Sequence, residues 1–352
     1  MECEKRKRKY CVALYIRYVA AFFLVFFFSR LLQLWHSVES SFPNDLIIQS
    51  LSHLPPNITT HNEKAERNII FVHVGKAAGE TIKNILKAGC LARTARRRQE
   101  KCLARLPDSR LSELVSAYFH CFDVPRLKKL KPTSFLFNVR HPVDRALSWY
   151  GYIHPDHCKH MATPACKAKW QLKNEDTWVH RFFDCFPTAE EWFLPKTSHC
   201  RAIAQQAWKG SLDYREVPLA AHMIANYQHY VNNTIHVLPD SEILVVRTTD
   251  LWHDLKALDE WLGGTGRFGR GIEGTAVTHG SHRYANPVLN GTTMFAACCA
   301  LLPELSVYRD LLAKAANLDQ ITKDLEREDA VKHCGSESWE ELWESCSQLH
   351  SS

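Results

Sequence analysis

Short apolar runs rich in β-branched and aromatic residues alternate along this chain with segments whose apolar positions recur at the helical period. Such runs are typical of buried strands, and a short loop leads from each into the helical segment. Three strand-and-helix pairs follow this rule, at residues 68–74 with 79–88, 133–139 with 142–152, and 243–246 with 251–262. Strands that alternate with helices favour a parallel sheet covered on both faces. We therefore predict a three-layer α/β fold with a central parallel sheet, followed by two helices at 301–318 and 320–332.

The N-terminal part of the chain combines a basic run with a long apolar segment. Five consecutive cations, at 5–9, precede an apolar stretch that is long enough to cross about 30 Å of hydrocarbon as a helix. Cations before a span place the N-terminus in the cytosol, which gives a single-pass type II topology. A cleaved signal peptide is the alternative, but bulky Leu and Trp residues follow Phe28 where a cleavage site needs small ones. The predicted organisation is a cytoplasmic tail at 1–10, a transmembrane signal-anchor at 11–35, a stem at 36–67 and a lumenal domain at 68–352.

Charge narrows the range of ligands. The net charge is +6, and much of it lies in the basic run at 5–9, so the rest of the chain is close to neutral. A nucleic-acid-binding protein is expected to carry a broad basic surface, so this balance gives nucleic acid little support as a partner. A small anionic ligand needs only a few well-placed cations, so it is compatible with this charge balance.

The cysteine content indicates an oxidising compartment. Thirteen cysteines are many for a cytosolic protein and fit disulfide formation in a lumen. Three pairs are close enough in sequence to bond, namely Cys185 with Cys200, Cys158 with Cys166, and Cys334 with Cys346. No Cys-x-x-Cys pair occurs, which argues against a structural metal site. Asn57, Asn232 and Asn290 begin glycosylation triplets and support a lumenal location slightly.

The first motif with chemical meaning follows the first predicted strand, at 71–81. A strand that ends in a loop at a helix N-terminus presents backbone N–H groups to an anion, and Lys76 adds a positive charge there. A nucleotide triphosphatase P-loop is excluded, because Ile70 and Ala77 stand where that motif needs Gly and Ser or Thr. Taken alone, an ordinary strand-to-helix turn with a solvated lysine is the alternative.

The second motif, at 138–150, follows the second predicted strand. Arg140 is expected at the carboxyl end of that strand, where open α/β sheets bind ligands, and its planar guanidinium suits a phosphate group. Ser148 lies on the helix that follows, on or close to the face of Asp144 and Arg145. Taken alone, a surface arginine and a helix serine are the alternative.

Together the two motifs resemble those of the sulfotransferases that use 3′-phosphoadenosine 5′-phosphosulfate (PAPS), most closely the Golgi carbohydrate group that includes heparan sulfate 2-O- and 6-O-sulfotransferases. The likeness is strong over 68–152 and weaker at 243–262 and in the C-terminal helices. It implies a P-loop-like fold, a Golgi membrane location, a glycan acceptor and no metal. The donor-binding residues it implies are Gly75, Lys76, Ala77, Ala78, Gly79, Glu80, Thr81, Arg140 and Ser148. Ala77 and Ala78 stand where the family has Thr and Gly, and His141 stands where it has Asp.

The resemblance also implies the catalytic groups. In related glycan sulfotransferases a histidine before the second motif acts as general base, and His120 occupies the comparable place, with His73 and His222 as competitors. Lys76 would stabilise charge on the bridging oxygen as the bisphosphate leaves. An inactive glycan-binding relative that has lost PAPS is the alternative, and a nucleotide-dependent kinase is a weaker one because the P-loop is incomplete. The sequence specifies neither the acceptor hydroxyl nor the oligomeric state.

Overall fold

The computed structural model describes residues 67–88, 109–119, 124–154, 178–210, 221–267 and 287–351. The predicted tail, the membrane span and nearly all of the stem lie outside these residues. So do His120 and the predicted pair of Cys158 and Cys166.

The described residues contain one sheet of four parallel strands, which confirms the predicted α/β class and central parallel sheet. The strands are β1 (Ile69–Val72), β2 (Val115–Phe119), β3 (Ser134–Val139) and β4 (Glu242–Arg247). Their order is β2-β1-β3-β4, and each neighbouring pair is parallel. β2 was not predicted as a strand, because at the edge of the sheet its residues alternate between buried and more exposed positions and Ser116 interrupts its short apolar run.

Fourteen helices accompany the sheet within the described ranges. They are α1 (Gly79–Ala88), α2 (Arg110–Leu114), α3 (Val124–Leu130), α4 (Pro142–Ile153), α5 (Trp178–Cys185), α6 (Ala189–Phe193), α7 (Ser198–Lys209), α8 (Ala221–Ile224), α9 (Tyr227–Asn232), α10 (Leu251–Trp261), α11 (Gly291–Ala300), α12 (Leu302–Lys314), α13 (Gln320–Lys332) and α14 (Trp339–Ser351). Pro142 begins α4, where its missing N–H costs nothing.

Both faces of the two central strands are covered. Every residue of β1 and of β3 is buried, as expected for parallel strands between two helical layers. On one face a buried apolar cluster joins the sheet to α1 and α10; it contains Ile69, Phe71, Ile82, Ile85, Leu86, Leu111, Leu114, Val115, Leu136, Leu244, Val246, Leu255 and Leu258. α12 also contacts β4, and it packs against α4.

Three disulfides lie in the described residues. Cys185 bonds Cys200, one of the pairs that closeness in sequence allows, whereas Cys334 bonds Cys298 and not Cys346. Cys346 bonds Cys299 instead. Successive positions of a helix point about 100° apart, so the adjacent cysteines of α11 reach two different partners, one just after α13 and one on α14. Each disulfide closes a loop of 15 to 47 residues, which stabilises the fold by about 3–4 kcal/mol.

Among the described residues no single helix is long and apolar enough to cross a membrane. α11 and α12 meet the requirements of length and composition only as a pair, bent by 79°.

Candidate functional site

The strand order places the switch point of the sheet between β1 and β3, where open α/β sheets form a crevice at the carboxyl edge. The chain continues from β1 to β2 on one side and from β3 to β4 on the other, and open α/β sheets bind ligands at such a switch point. The loop 75–78 leaves β1 at this edge, and Arg140 directly follows β3. The structure thus brings the two sequence motifs together: Nη1 of Arg140 lies 3.5 Å from the carbonyl oxygen of Lys76.

The loop after β1 has a backbone conformation that residues with side chains seldom adopt. Lys76 and Ala78 have φ values of +66° and +61°, in the left-handed region that costs non-glycine residues about 1–2 kcal/mol each. Ala77 and Gly79 are not in that region, so the conformations alternate. Alternation of this kind turns successive backbone N–H groups to one side and forms a nest that binds anions. Strain held in this way is concentrated at functional sites.

Asn138, the fifth residue of β3, holds the loop in this conformation. Its Oδ1 accepts a hydrogen bond from the N–H of Val74 (2.9 Å), and its Nδ2 donates to the carbonyl groups of Val74 (3.0 Å) and Ala77. The amide is completely buried, so these bonds are shielded from water. We did not single out Asn138 from the sequence, although a polar residue inside an apolar strand is the signal that marks it.

Two glycines allow two histidines to approach the loop closely. A Cβ atom at Gly75 would collide with the ring of His222, and one at Gly79 would collide with the ring of His73. Neither clash could be relieved without moving an imidazole or the loop. The two histidines named as competitors for the general base therefore border the two ends of the candidate anion site.

Helix α1 begins directly at the loop. The first backbone N–H that finds an acceptor in the previous turn is that of Ile82, which donates to Ala78 (3.2 Å). The N–H groups of Gly79, Glu80 and Thr81 belong to the first turn, which has no acceptor of its own and carries the positive end of the helix dipole. Thr81 is buried, whereas Glu80 forms an ion pair with Lys83.

The Lys76 side chain extends toward α4. Its Nζ lies 3.7 Å from the centre of the Tyr152 ring, a cation–π contact worth about 0.5–1 kcal/mol at a partly exposed site. This contact keeps the ammonium group between the loop and the helix that also carries Ser148.

Arg140 is a partly buried cation. No Asp or Glu oxygen of the described residues lies within ion-pair distance of its guanidinium. Burial lowers the pKa of Arg140, while the charge of Asp144 and the neighbouring Tyr227 raise it. Because a guanidinium stays protonated in proteins, the crevice holds a positive charge that no carboxylate of the described chain contacts directly.

Ser148 lies half-buried in α4. Arg140 lies two residues before the start of this helix. The two neighbours that the sequence placed near Ser148 point to different sides of the helix. Asp144 lies 3.4 Å from Nε2 of His333, whereas Arg145 is completely buried. Arg145 therefore does not reach the crevice.

Arg145 instead anchors a segment that borders the site. Its Nη2 forms an ion pair with Glu304 at 2.6 Å, and both side chains are almost fully buried. Its Nη1 donates to the carbonyl of His222 (2.5 Å), and Nη2 lies 3.5 Å from that of Met223. Removing one partner of such a buried pair typically costs about 3–5 kcal/mol, so this interaction fixes the backbone that carries His222.

The same segment bonds both halves of the site. The N–H of Gly75 donates to the hydroxyl of Tyr230 (3.2 Å). Tyr227 bonds the backbone of Arg140 through its own hydroxyl. Sequence reasoning did not find these tyrosines, because nothing in their local pattern indicates contact with strands that lie far away in the sequence.

His141, which directly follows Arg140, is an uncharged side chain in the structure. Burial, and then the neighbouring His333, lowers the pKa of His141 to about 3, so its ring is neutral. The pKa of Asp144 is lowered overall. Burial alone would raise it, but the hydrogen bond and the charge of His333 have the larger effect. Arg140 therefore has no carboxylate at the next position in the sequence.

The described part of the site is suited to a ligand with two anionic groups, one at the loop and one at Arg140. β2 ends at Phe119, whose carbonyl accepts from the N–H of His73 (2.9 Å). The predicted base, His120, follows directly in the sequence and lies outside the described residues. In comparisons with known proteins, the chain matches no family model, no curated protein and no solved structure.

Proposed function

We propose that this protein is a sulfotransferase that moves a sulfonyl group from PAPS to a hydroxyl group of a glycan. The observation that carries the proposal is the approach of loop 75–78 to Arg140 at the switch point of the sheet. A nest of backbone amides and an arginine without a carboxylate partner in the described chain are each suited to one anionic group. PAPS carries two such groups on one nucleoside, the 5′-phosphosulfate and the 3′-phosphate.

The loop and the start of α1 are assigned to the 5′-phosphosulfate. The amides of residues 77–81 donate to its oxygens, and the helix dipole adds to their effect. These are backbone groups, so Ala77 and Ala78 can supply them without the side chains that the family has there. Lys76 supplies the charge for the bridging oxygen, moving from its contact with Tyr152.

Arg140 and Ser148 are assigned to the 3′-phosphate. A guanidinium binds a phosphate through two parallel hydrogen bonds, which fixes orientation as well as charge. The backbone of Arg140 is held by Tyr227, so only the side chain has to adjust to the ligand. A donor held at both ends presents its sulfur in a fixed direction for in-line attack.

The reaction is a displacement at sulfur. The acceptor oxygen bonds to the sulfur as the bond from sulfur to the phosphate oxygen breaks, and His120 takes the proton of the acceptor hydroxyl. The products are a sulfate ester and adenosine 3′,5′-bisphosphate. A histidine suits this task because its ordinary pKa lies near neutral pH.

The fold is P-loop-like in this proposal, and the enzyme is a single-pass type II protein of the Golgi membrane, anchored by residues 11–35. The three disulfides of the described chain support an oxidising compartment such as the Golgi lumen.

An inactive glycan-binding relative is the second candidate. It is favoured by the replacements at Ala77, Ala78 and His141, which remove a hydroxyl and a carboxylate from the two motifs. A kinase is less suited, because the loop has neither of the flanking residues that a P-loop needs.

Transfer of labelled sulfate from PAPS to a panel of lumenal glycans tests the proposal, with Arg140→Gln as the matched variant that binds the donor more weakly. At a low PAPS concentration, labelled product from the wild type and much less from the variant is the expected result. Failure to bind adenosine 3′,5′-bisphosphate would overturn the proposal and favour the inactive relative, which has lost PAPS. Binding of the bisphosphate without transfer to any glycan would contradict the glycan acceptor.

A further inference from the structure

Three side chains able to bind a metal meet where the start of α4 approaches the end of α13. His141 and Asp144 lie at the first turn of α4, and His333 directly follows α13. One nitrogen or oxygen atom from each lies within 4.8 Å of the other two. The rings of the two histidines are 4.4 Å apart at 61°, and Nε2 of His333 is 3.4 Å from Oδ1 of Asp144.

The hydrogen bonds of His141 resemble those of a metal ligand. Its ring is 9% exposed, and Nε2 lies 3.2 Å from the carbonyl oxygen of Ala330. Nδ1 is buried and has no hydrogen-bond partner among the described residues. Histidines that bind metals typically donate one ring N–H to a backbone carbonyl and give the other nitrogen to the ion. A buried nitrogen without a partner is unfavourable, and a bound cation would remove that cost.

The nearby sulfur atoms do not complete a different site. Cys298 and Cys334 also lie close to His141, but they bond each other, and a disulfide offers no thiolate. The remaining ligands are two imidazoles and one carboxylate. Zinc and other first-row divalent ions accept this set, with an open position left for water.

We propose that His141, Asp144 and His333 form a binding site for a divalent transition-metal ion that ties the start of α4 to the end of α13. The single carboxylate offsets only part of the charge of the ion, and Arg140 lies next to His141 in the sequence, so the site is expected to bind less tightly than a zinc site of four thiolates. The proposal is independent of sulfonyl transfer, because neither its ligands nor its test involves PAPS.

Calorimetric titration of the full-length protein with Zn²⁺ alone tests this site. His333→Asn and Asp144→Asn should each lose one equivalent of zinc relative to the wild type, or weaken that equivalent by roughly tenfold or more. His253→Asn is the matched control, since His253 is an exposed histidine 3.6 Å from Asp254 and belongs to no three-ligand cluster of the described residues. It should bind as the wild type does.

Cobalt titration followed by visible absorption provides a second measurement that does not depend on counting zinc ions. The wild type should show bands of a cobalt ion with nitrogen and oxygen ligands, and these should be absent from Asp144→Asn, whose side chain keeps its size. Equal zinc stoichiometry and equal cobalt spectra in the wild type and both site variants would overturn the proposal. Loss of an equivalent in His253→Asn as well would overturn it too, because the loss would then not be specific to this cluster.

Discussion

The hydroxyl group of Tyr227 accepts a hydrogen bond from the backbone N–H of Arg140 and donates one to its carbonyl, each at 2.7 Å. Tyr227 is completely buried, and its ring lies near the buried Arg145, with 5.7 Å between the ring centre and Cζ. A side chain from a distant helix thus satisfies both polar backbone groups at the point where β3 ends. The direction of the Arg140 side chain depends on this contact.

Tyr227→Phe should therefore affect stability and ligand binding together. It leaves two backbone groups without their partner, which costs about 1–3 kcal/mol of unfolding free energy, and it loosens the backbone of Arg140. We expect a lower denaturation midpoint in urea and weaker binding of adenosine 3′,5′-bisphosphate in calorimetry. Tyr150→Phe is the control, because Tyr150 also donates from a buried position, to Phe186 (2.8 Å), away from Arg140. Equal loss of affinity in both variants would contradict the positioning role of Tyr227.

Asn138→Ala should release the loop. The change removes the hydrogen bonds to Val74 and Ala77, and we expect a loss of about 2–3 kcal/mol in unfolding free energy together with a strong loss of bisphosphate affinity. Asn317→Ala is a matched control, because Asn317 makes the same pair of amide bonds, at 2.8 Å each, to the backbone of Val245 on β4. Stability should fall in both proteins and affinity only in the first. Normal affinity in Asn138→Ala would show that the strained loop is not the ligand site.

Much of the central fold could be predicted because burial on both faces leaves a continuous apolar run. β1 and β3 are of this kind, and the glycine and proline residues after them indicate where the strands end. β2 could not be found in this way, since the polar Ser116 interrupts its short apolar run. The bond between Cys334 and Cys298 could not be predicted either, because closeness in sequence does not show which helix packs beside Cys334.

The sequence predicted only those parts of the candidate site that lie close, along the chain, to the strands that position them. The loop and Arg140 lie within a few residues of their strands, so position alone places them at the carboxyl edge. Tyr227, Tyr230 and Arg145 act across the fold, and their contacts depend on how α4 and α9 pack. A tyrosine in a helix has no local pattern that distinguishes such a role from ordinary packing.

Gly79→Ala should be destabilising because of His73 rather than because of backbone strain. The added methyl group would collide with the imidazole, and overpacking of this kind typically costs about 1–3 kcal/mol. Thermal unfolding of the double variant Gly79→Ala/His73→Ala should show recovery of part of the loss. Gly291→Ala is the control, since among the described residues no atom beyond its chain neighbours and its own helix backbone lies within 4 Å of the added methyl group. If the double variant is as unstable as the sum of the two single changes, the contact is not the cause.

His120→Ala should separate catalysis from binding. Loss of a general base lowers the rate by about 10²–10⁴-fold, and donor affinity should be almost unchanged. His73→Ala and His222→Ala should behave differently, since both rings contact glycines of the loop and their removal should alter donor affinity. Lys76→Ala should lower both affinity and turnover. Near wild-type turnover in His120→Ala would contradict the assignment, and the two competitors would then be the remaining histidine bases.

Arg140→Gln should weaken the binding of ligands that carry a 3′-phosphate and leave others almost unaffected. A hydrogen-bonded charge pair contributes about 1.5–3 kcal/mol, which corresponds to a loss of roughly 10- to 100-fold in affinity for adenosine 3′,5′-bisphosphate. The affinity for adenosine 5′-phosphate, which lacks the 3′-phosphate, should change little, because the 5′ group is assigned to the loop. Arg110→Gln is the control, since Arg110 is an exposed arginine paired with Glu113 (2.6 Å) on α2. Calorimetry of both nucleotides with the wild type and the two variants gives the comparison. Equal losses for both nucleotides in Arg140→Gln would mean that Arg140 supports the crevice as a whole and does not read the 3′-phosphate.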